Sequence, residues 1–103
     1  MTTSNKSARK LLEANIRRSN FGSFLRVART SMDLTQEQFG RILGISKSVV
    51  CDLEKGRQTA SLKLAHRIAK KAGLSEILAV QLCIQDQLRA AKIAYTIDLK
   101  KAA

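Results

Sequence analysis

Residues 35–56 read TQEQFGRILGISKSVVCDLEKG, and this stretch decides the fold. Thr35 followed three residues later by Gln38 is a capping box. The hydroxyl can accept the third backbone N–H of a helix, and the glutamine can return the bond. The helix that it opens, QEQFGRIL, carries Phe39, Ile42 and Leu43 at helical spacing, so all three are expected inside. Gly44 ends it, because glycine takes a positive φ without steric cost. Ser46 caps the next helix, KSVVCDLEK, with Val50 and Leu53 inward, and Gly56 ends that one. Gly40 is small where the second helix crosses closely, and Ile45, Val50 and Leu53 lock the pair. Two short helices so joined make a helix-turn-helix.

The flanks continue the helical pattern. Phe21, Phe24, Leu25, Ala28 and Met32 recur at steps of three and four, a helix of about three turns that stops near Ser31–Leu34. Ser61 starts LKLAHRIAKKA, with Leu64, Ala65, Ile68 and Ala72 inward and Gly73 at its end. Ser75 starts a longer helix with two apolar stripes. One is Ile77, Val80, Ile84, Leu88 and Ala91; the other is Leu74, Leu78 and Leu82. Two stripes on one helix predict burial on two sides, against its own domain and against a partner. Beyond it, Ile93, Tyr95, Ile97 and Leu99 alternate with Ala94, Thr96, Asp98 and Lys100, the period of a short β-strand. A single strand must pair with another chain or lie unstructured. Before Asn20, residues 8–18 (ARKLLEANIRR) read as a short basic helix. DNA contact, partner contact and ordinary solvated surface all fit that arm.

The expected fold is all-α, with 1–18 as a basic arm, 19–73 as the helix-turn-helix domain and 74–103 as a dimerisation or partner-binding segment. Its 103 residues suffice for one domain, and the absence of proline disfavours turn-rich β architectures. The net charge of +11 is uneven. Residues 1–34 hold seven basic and two acidic side chains, residues 35–73 eight and three, and residues 74–103 four and three. The first two thirds therefore suit a polyanion, and the last third suits something else.

Other classes find little support. Cys51, Cys83 and the lone His66 have no metal-ligand spacing, so no metal or cofactor is expected. Cys51 reads as a small residue at a tight position, Cys83 as packing, and His66 as a solvated helix residue. Scattered carboxylates and one histidine supply no nucleophile with its base, so an enzyme is not expected. No apolar run approaches the roughly 20 residues of a membrane span. Two isolated cysteines with no disulfide framework fit a reducing cytoplasm as the expected location.

The run LRVARTSMDLTQEQFGRILGISKSVVCDLEKGRQTAS (residues 25–61) closely resembles the Cro/cI (Xre-type) helix-turn-helix family, and the likeness extends from Phe21 to Gly73. The resemblance implies a five-helix, lambda repressor-like domain that binds double-stranded operator DNA, usually as a two-fold dimer. It implies that Lys47, Ser48 and Asp52 read base edges, with Val49 against a thymine methyl. It places Gln36 on a backbone phosphate, with Ser46, Arg57, Lys55 and Arg41 as further phosphate contacts. It also pairs Arg29 with Glu54 in a buried ion pair linking the first helix to the recognition helix. Asp52 has a second reading, as a surface salt-bridge residue. Three positions depart from the family pattern: Asp33 stands for a common glycine, Ala60 for a proline and Gly40 for an alanine. Each is expected to soften the fold slightly.

Two functions follow as expectations. One is a homodimeric repressor on a palindromic operator. The other is an antitoxin that neutralises a toxin protein through its C-terminal segment and represses its own operon. For either, Ile77, Val80, Ile84, Leu88, Tyr95 and Ile97 are the candidate dimer or partner interface.

Overall fold

Every helix start is set by a side chain that accepts a backbone N–H. Asn20 Oδ1 accepts from Ser23 N at 2.7 Å, Ser46 Oγ from Val49 N at 3.1 Å, Ser61 Oγ from Leu64 N at 3.1 Å and Ser75 Oγ from Leu78 N at 3.2 Å. Thr35 and Gln38 close the capping box from both sides, at 3.1 and 2.9 Å. The computed structural model describes residues 20–102, which fold into five helices. These are α1 (Phe21–Ser31), α2 (Gln36–Leu43), α3 (Lys47–Glu54), α4 (Leu62–Ala72) and α5 (Glu76–Ala90). The basic helix expected at 8–18 lies outside the described residues.

Helix ends follow glycine where glycine is present. Gly44 and Gly73 take φ values of 72° and 70°, in the left-handed region that side chains avoid. Two ends do without it. α1 closes with Asp33 at φ 56° and a bond from Leu34 N to Arg29 O. α5 closes with Lys92 at φ 59° and a bond from Ile93 N to Leu88 O. Both are Schellman caps carried by a side-chain-bearing residue.

One core runs through all five helices. Phe21 and Leu25 of α1 meet Phe39 and Leu43 of α2, Val50 and Leu53 of α3, Ala65, Ile68 and Ala69 of α4, and Ala79, Leu82 and Cys83 of α5. α2 packs on α3 and α4, α1 on α3 and α5, and α4 on α5. Two close approaches are backbone on backbone. A methyl group at Gly22 would meet Leu53 O at 2.4 Å and Glu54 O at 2.8 Å, so the start of α1 rests directly on the end of α3. One at Gly40 would meet Ile45 O at 2.6 Å. Gly40 is thus not a softened alanine: the turn's carbonyl occupies the space an alanine would need.

α5 is stapled to α1 through Asp86. Its Oδ2 accepts the Phe21 N–H at 3.0 Å, and its Oδ1 accepts from Arg89 Nη1 at 3.1 Å. A carboxylate belongs at a helix N-terminus, where orphan N–H groups point outward. Burial nevertheless pushes the Asp86 carboxyl above its ordinary value, against the lowering pull of the Phe21 N–H and Arg89. Cys83 packs in the core, its thiol donating to Ala60 O at 2.9 Å, and burial raises it too.

Three expectations need correction. Ile42 is 46% exposed, because α2 is only eight residues long and its core face is filled by Phe39, Gly40 and Leu43. Met32 lies beyond the last turn of α1 and is exposed. The C-terminal strand does not form: residues 93–102 hold no regular structure. Instead the tail turns at Lys92 and runs back along α5. Ile93–Thr96 lie beside Gln85 and Arg89, and Leu99–Lys101 beside Ser75–Val80. The Gln85 side chain, 8% exposed, donates to Tyr95 O at 2.7 Å and accepts from Ile97 N at 3.4 Å. A buried side-chain amide thus takes the place a neighbouring strand would fill.

Candidate nucleic-acid interface

The outer face of α3 follows from its caps and its core residues. Val50 and Leu53 point into the core, which turns Lys47, Ser48, Cys51, Asp52 and Lys55 to the other side by helical spacing. Lys47, Ser48 and Lys55 are exposed, and Cys51 and Asp52 are half-buried. Lys47, Ser48 and Asp52 therefore share one face. Val49 stands at the edge of this face, half-buried and packed against the core. Cys51 lies within the same face rather than at a tight internal position. Its spacing of four from both Lys47 and Lys55 was the signal that could have placed it there.

The residues expected at phosphates surround this face. Ser46 spends a lone pair on the Val49 N–H and keeps its hydroxyl proton to donate. Arg41 is exposed and pairs with Glu37 one turn earlier at 2.8 Å. Such an exposed pair contributes little to stability. Arg57 Nη1 stands 3.8 Å from Asp52 Oδ1. The loop holds it there, since Asp52 O accepts the N–H groups of Arg57 at 2.9 Å and Gln58 at 3.3 Å. The geometry thus joins Asp52 to Arg57, the second of its two expected roles. Among the described residues, Lys47, Lys55, Lys63, Arg67 and Lys70 enter no ion pair. The last three line the outer side of α4, opposite Ala65, Ile68 and Ala69.

Gln36 is tied inward. Its Nε2 donates to Glu54 Oε1 at 3.2 Å. The same carboxylate accepts from Arg29 Nε at 2.7 Å and Nη2 at 3.1 Å, while Arg29 Nη1 donates to Leu34 O at 2.9 Å. The hydrogen bonds that Arg29 donates to Glu54 hold its guanidinium further toward the charged form, against burial. This bidentate pair joins α1 to α3, and the bond from Gln36 joins both to α2. At this site, the close approach at Gly22 and the Gln36–Glu54 bond are features that the sequence did not announce.

Away from this face, the residues expected at a dimer or partner interface lie along α5 and its tail. Ile77 is 43% exposed, Val80, Ile84, Leu88 and Ile97 are half-buried, and Tyr95 is 69% exposed. His66 is exposed, with Nε2 2.8 Å from Glu76 Oε1. No group of three or more potential metal ligands occurs among the described residues, and no helix among them is long and apolar enough to cross a membrane.

A short helix crossing a capped, basic-flanked second helix, with the latter's polar face outward, defines a helix-turn-helix DNA-binding domain. The helix-turn-helix family model HTH_3 matches residues 25–77, half of the chain, and the chain belongs to that family, of Cro/cI type. It is similar to an uncharacterized HTH-type transcriptional regulator of Methanothermobacter thermautotrophicus, 40% identical over 55 residues, covering 53% of this chain and 80% of the relative. A second such regulator, from Methanocaldococcus jannaschii, is 42% identical over 50 residues, covering 48% and 76%. A third, from Archaeoglobus fulgidus, is 38% identical over 42 residues, covering 41% and 59%. No solved structure matches the chain significantly.

Proposed function

We propose that the chain is a transcriptional regulator that binds double-stranded DNA as a homodimer and represses from a palindromic operator. The observation that carries this reading is the outer face of α3, where Lys47 and Ser48 stand exposed at the start of a helix whose other side is locked in the core. In the major groove, Lys47 would donate to guanine and Ser48 to either kind of base, while Asp52 would accept from cytosine once Arg57 turned to a phosphate. Gln36, Ser46, Arg57, Lys55 and Arg41 supply phosphate contacts, which position the protein without reading sequence. The apolar residues of α5 and its tail would join the two copies. Two recognition helices would then lie about 34 Å apart, one turn of DNA.

Selection of bound duplexes from a random library tests this, with Lys47→Ala and Ser48→Ala alongside. The expected result is a palindromic site whose preference relaxes at one position per half-site in each variant. A dimer neutralising roughly eight phosphates gives a log–log salt slope near −7. Binding without sequence preference, unchanged in both variants, would sink the reading.

A second reading is favoured by the tail. Ile93 and Tyr95 are exposed on a segment of almost no net charge, a surface suited to a protein partner. On this reading the chain is an antitoxin that binds a toxin protein through residues 74–103 and represses its own operon. A toxin-like reading frame beside its gene, whose product co-purifies with the chain, is the expected finding.

A further inference from the structure

The two helices of the motif diverge from the turn at Gly44–Ser46, so the start of α2 and the end of α3 are its open ends. The carboxylate of Glu54 bridges those ends. It is the last residue of α3, where the helix dipole disfavours a negative charge, and its side chain is only 3% exposed. Arg29 offsets that cost with two hydrogen bonds, at 2.7 and 3.1 Å. A buried ion pair is nonetheless weak as a stabilising device, since well-packed apolar side chains would hold α1 on α3 as well. What they would not do is accept the hydrogen bond that Gln36 Nε2 gives to Glu54 Oε1 at 3.2 Å.

We infer that Glu54 is a positioning residue for phosphate binding, acting through the side-chain amide of Gln36. The inference rests on the reading of Gln36 as a phosphate donor. Its amide nitrogen carries two N–H groups. One is committed to Glu54, which fixes the plane of the amide. The second is left to donate beside the backbone N–H groups of Gln36 and Glu37, which lack intrahelical acceptors at the start of α2. Fixing the side chain before the duplex arrives removes its rotamer entropy from the cost of binding. Because Glu54 belongs to α3, the phosphate seat on α2 is also held in register with the helix that meets the bases.

The test is a double-mutant cycle on affinity for a duplex that the wild-type protein selects from a random library, with the unfolding midpoint of every variant recorded. Gln36→Ala and Glu54→Ala are each expected to weaken binding about three- to tenfold, and the double variant no further than either. Glu54→Gln keeps an oxygen facing Gln36 but loses the charge opposite Arg29. It should lower the unfolding midpoint and retain affinity. Arg29→Met with Glu54→Met guards against variants that fail to fold: it should keep the stability, lose the same factor in affinity, and become insensitive to Gln36→Ala. Losses that multiply in the Gln36/Glu54 double variant, or full affinity in the Met/Met protein, overturn the positioning role and leave DNA binding standing. Wild-type affinity in Gln36→Ala overturns the phosphate assignment, and the inference with it. A wild-type protein that selects no duplex overturns the DNA reading itself.

Discussion

The motif end of the molecule and its α5 end use polar groups in opposite ways. Around α1, α2 and α3, an ion pair is held between helices, and two glycines let backbones touch. Along α5, the half-buried Asp86 carboxylate faces α1, but the fully buried polar groups are neutral amides, Gln81 and Gln85, and the tail is attached through one of them. A buried charge that loses its partner is far more costly than an amide that turns to water. The motif should therefore fail as a unit when disturbed, and the tail should come away without unfolding the rest.

The largest expected effect is Arg29→Met. It leaves the Glu54 carboxylate buried with only the Gln36 amide, and should cost about 3–5 kcal/mol of stability, measured by urea unfolding. A cost below about 1 kcal/mol, as for a surface pair, would break the contrast between the two ends. Gly22→Ala comes next. The added methyl meets the carbonyls of Leu53 and Glu54 at under 3 Å, both of them backbone that cannot swing aside. A loss of about 1–3 kcal/mol is expected in the same assay. A gain, as when alanine replaces glycine in an open helix, would mean that α1 and α3 separate easily.

Gln85→Ala probes the other end. It removes both bonds to the tail, at Tyr95 O and Ile97 N. Both bonds hold only the tail, so global stability should change by well under about 1 kcal/mol. The clearer signal is local: trypsin should cut at Lys92, Lys100 and Lys101 faster than in the wild type, while the remaining domain keeps its unfolding midpoint. Cutting at unchanged rates would mean that the half-buried Ile97 and Leu99 hold the tail without the amide.

How far these features could be read in advance depends on whether their cause is local. The caps were legible because Thr35, Ser46, Ser61 and Ser75 each act on a backbone group three residues away. The glycine ends at Gly44 and Gly73 were legible for the same reason. Ile42 was misread because periodicity marks a face of a helix without giving its width. Gln81 and Gln85 were invisible, since a polar residue between apolar ones signals a solvated side. The alternation of Ile93–Leu99 did mark an extended chain, with Ile97 and Leu99 half-buried and Asp98 and Lys100 exposed. Its partner, however, is a side chain fixed by tertiary folding. At the candidate site, the outer face of α3 was readable as a helix with one apolar side. The bond from Gln36 to Glu54 was not: it spans 18 residues and depends on how two helices cross.

The smallest expected effect compares the two ends at their helix caps. Asp33 and Lys92 both sit in the left-handed region, at φ 56° and 59°, and both end their helices with the same pair of backbone bonds. Glycine removes the Cβ clash at either place but adds freedom to the unfolded chain. For Asp33 the net gain should be a few tenths to about 1 kcal/mol, because aspartate tolerates this region better than most residues. The gain should appear in global unfolding, since Leu34 after it is fixed by Arg29 and the core. Lysine has no such tolerance, so Lys92→Gly relieves more strain locally. Yet it should leave the global midpoint nearly unchanged, because only the tail lies beyond Lys92. Amide hydrogen exchange would show the difference: slower exchange across α1–α3 in Asp33→Gly, and a change limited to Ile93–Ile97 in Lys92→Gly. If Lys92→Gly instead raised protection throughout α5, the tail would be part of the cooperative core, and the contrast between the two ends would have to be given up.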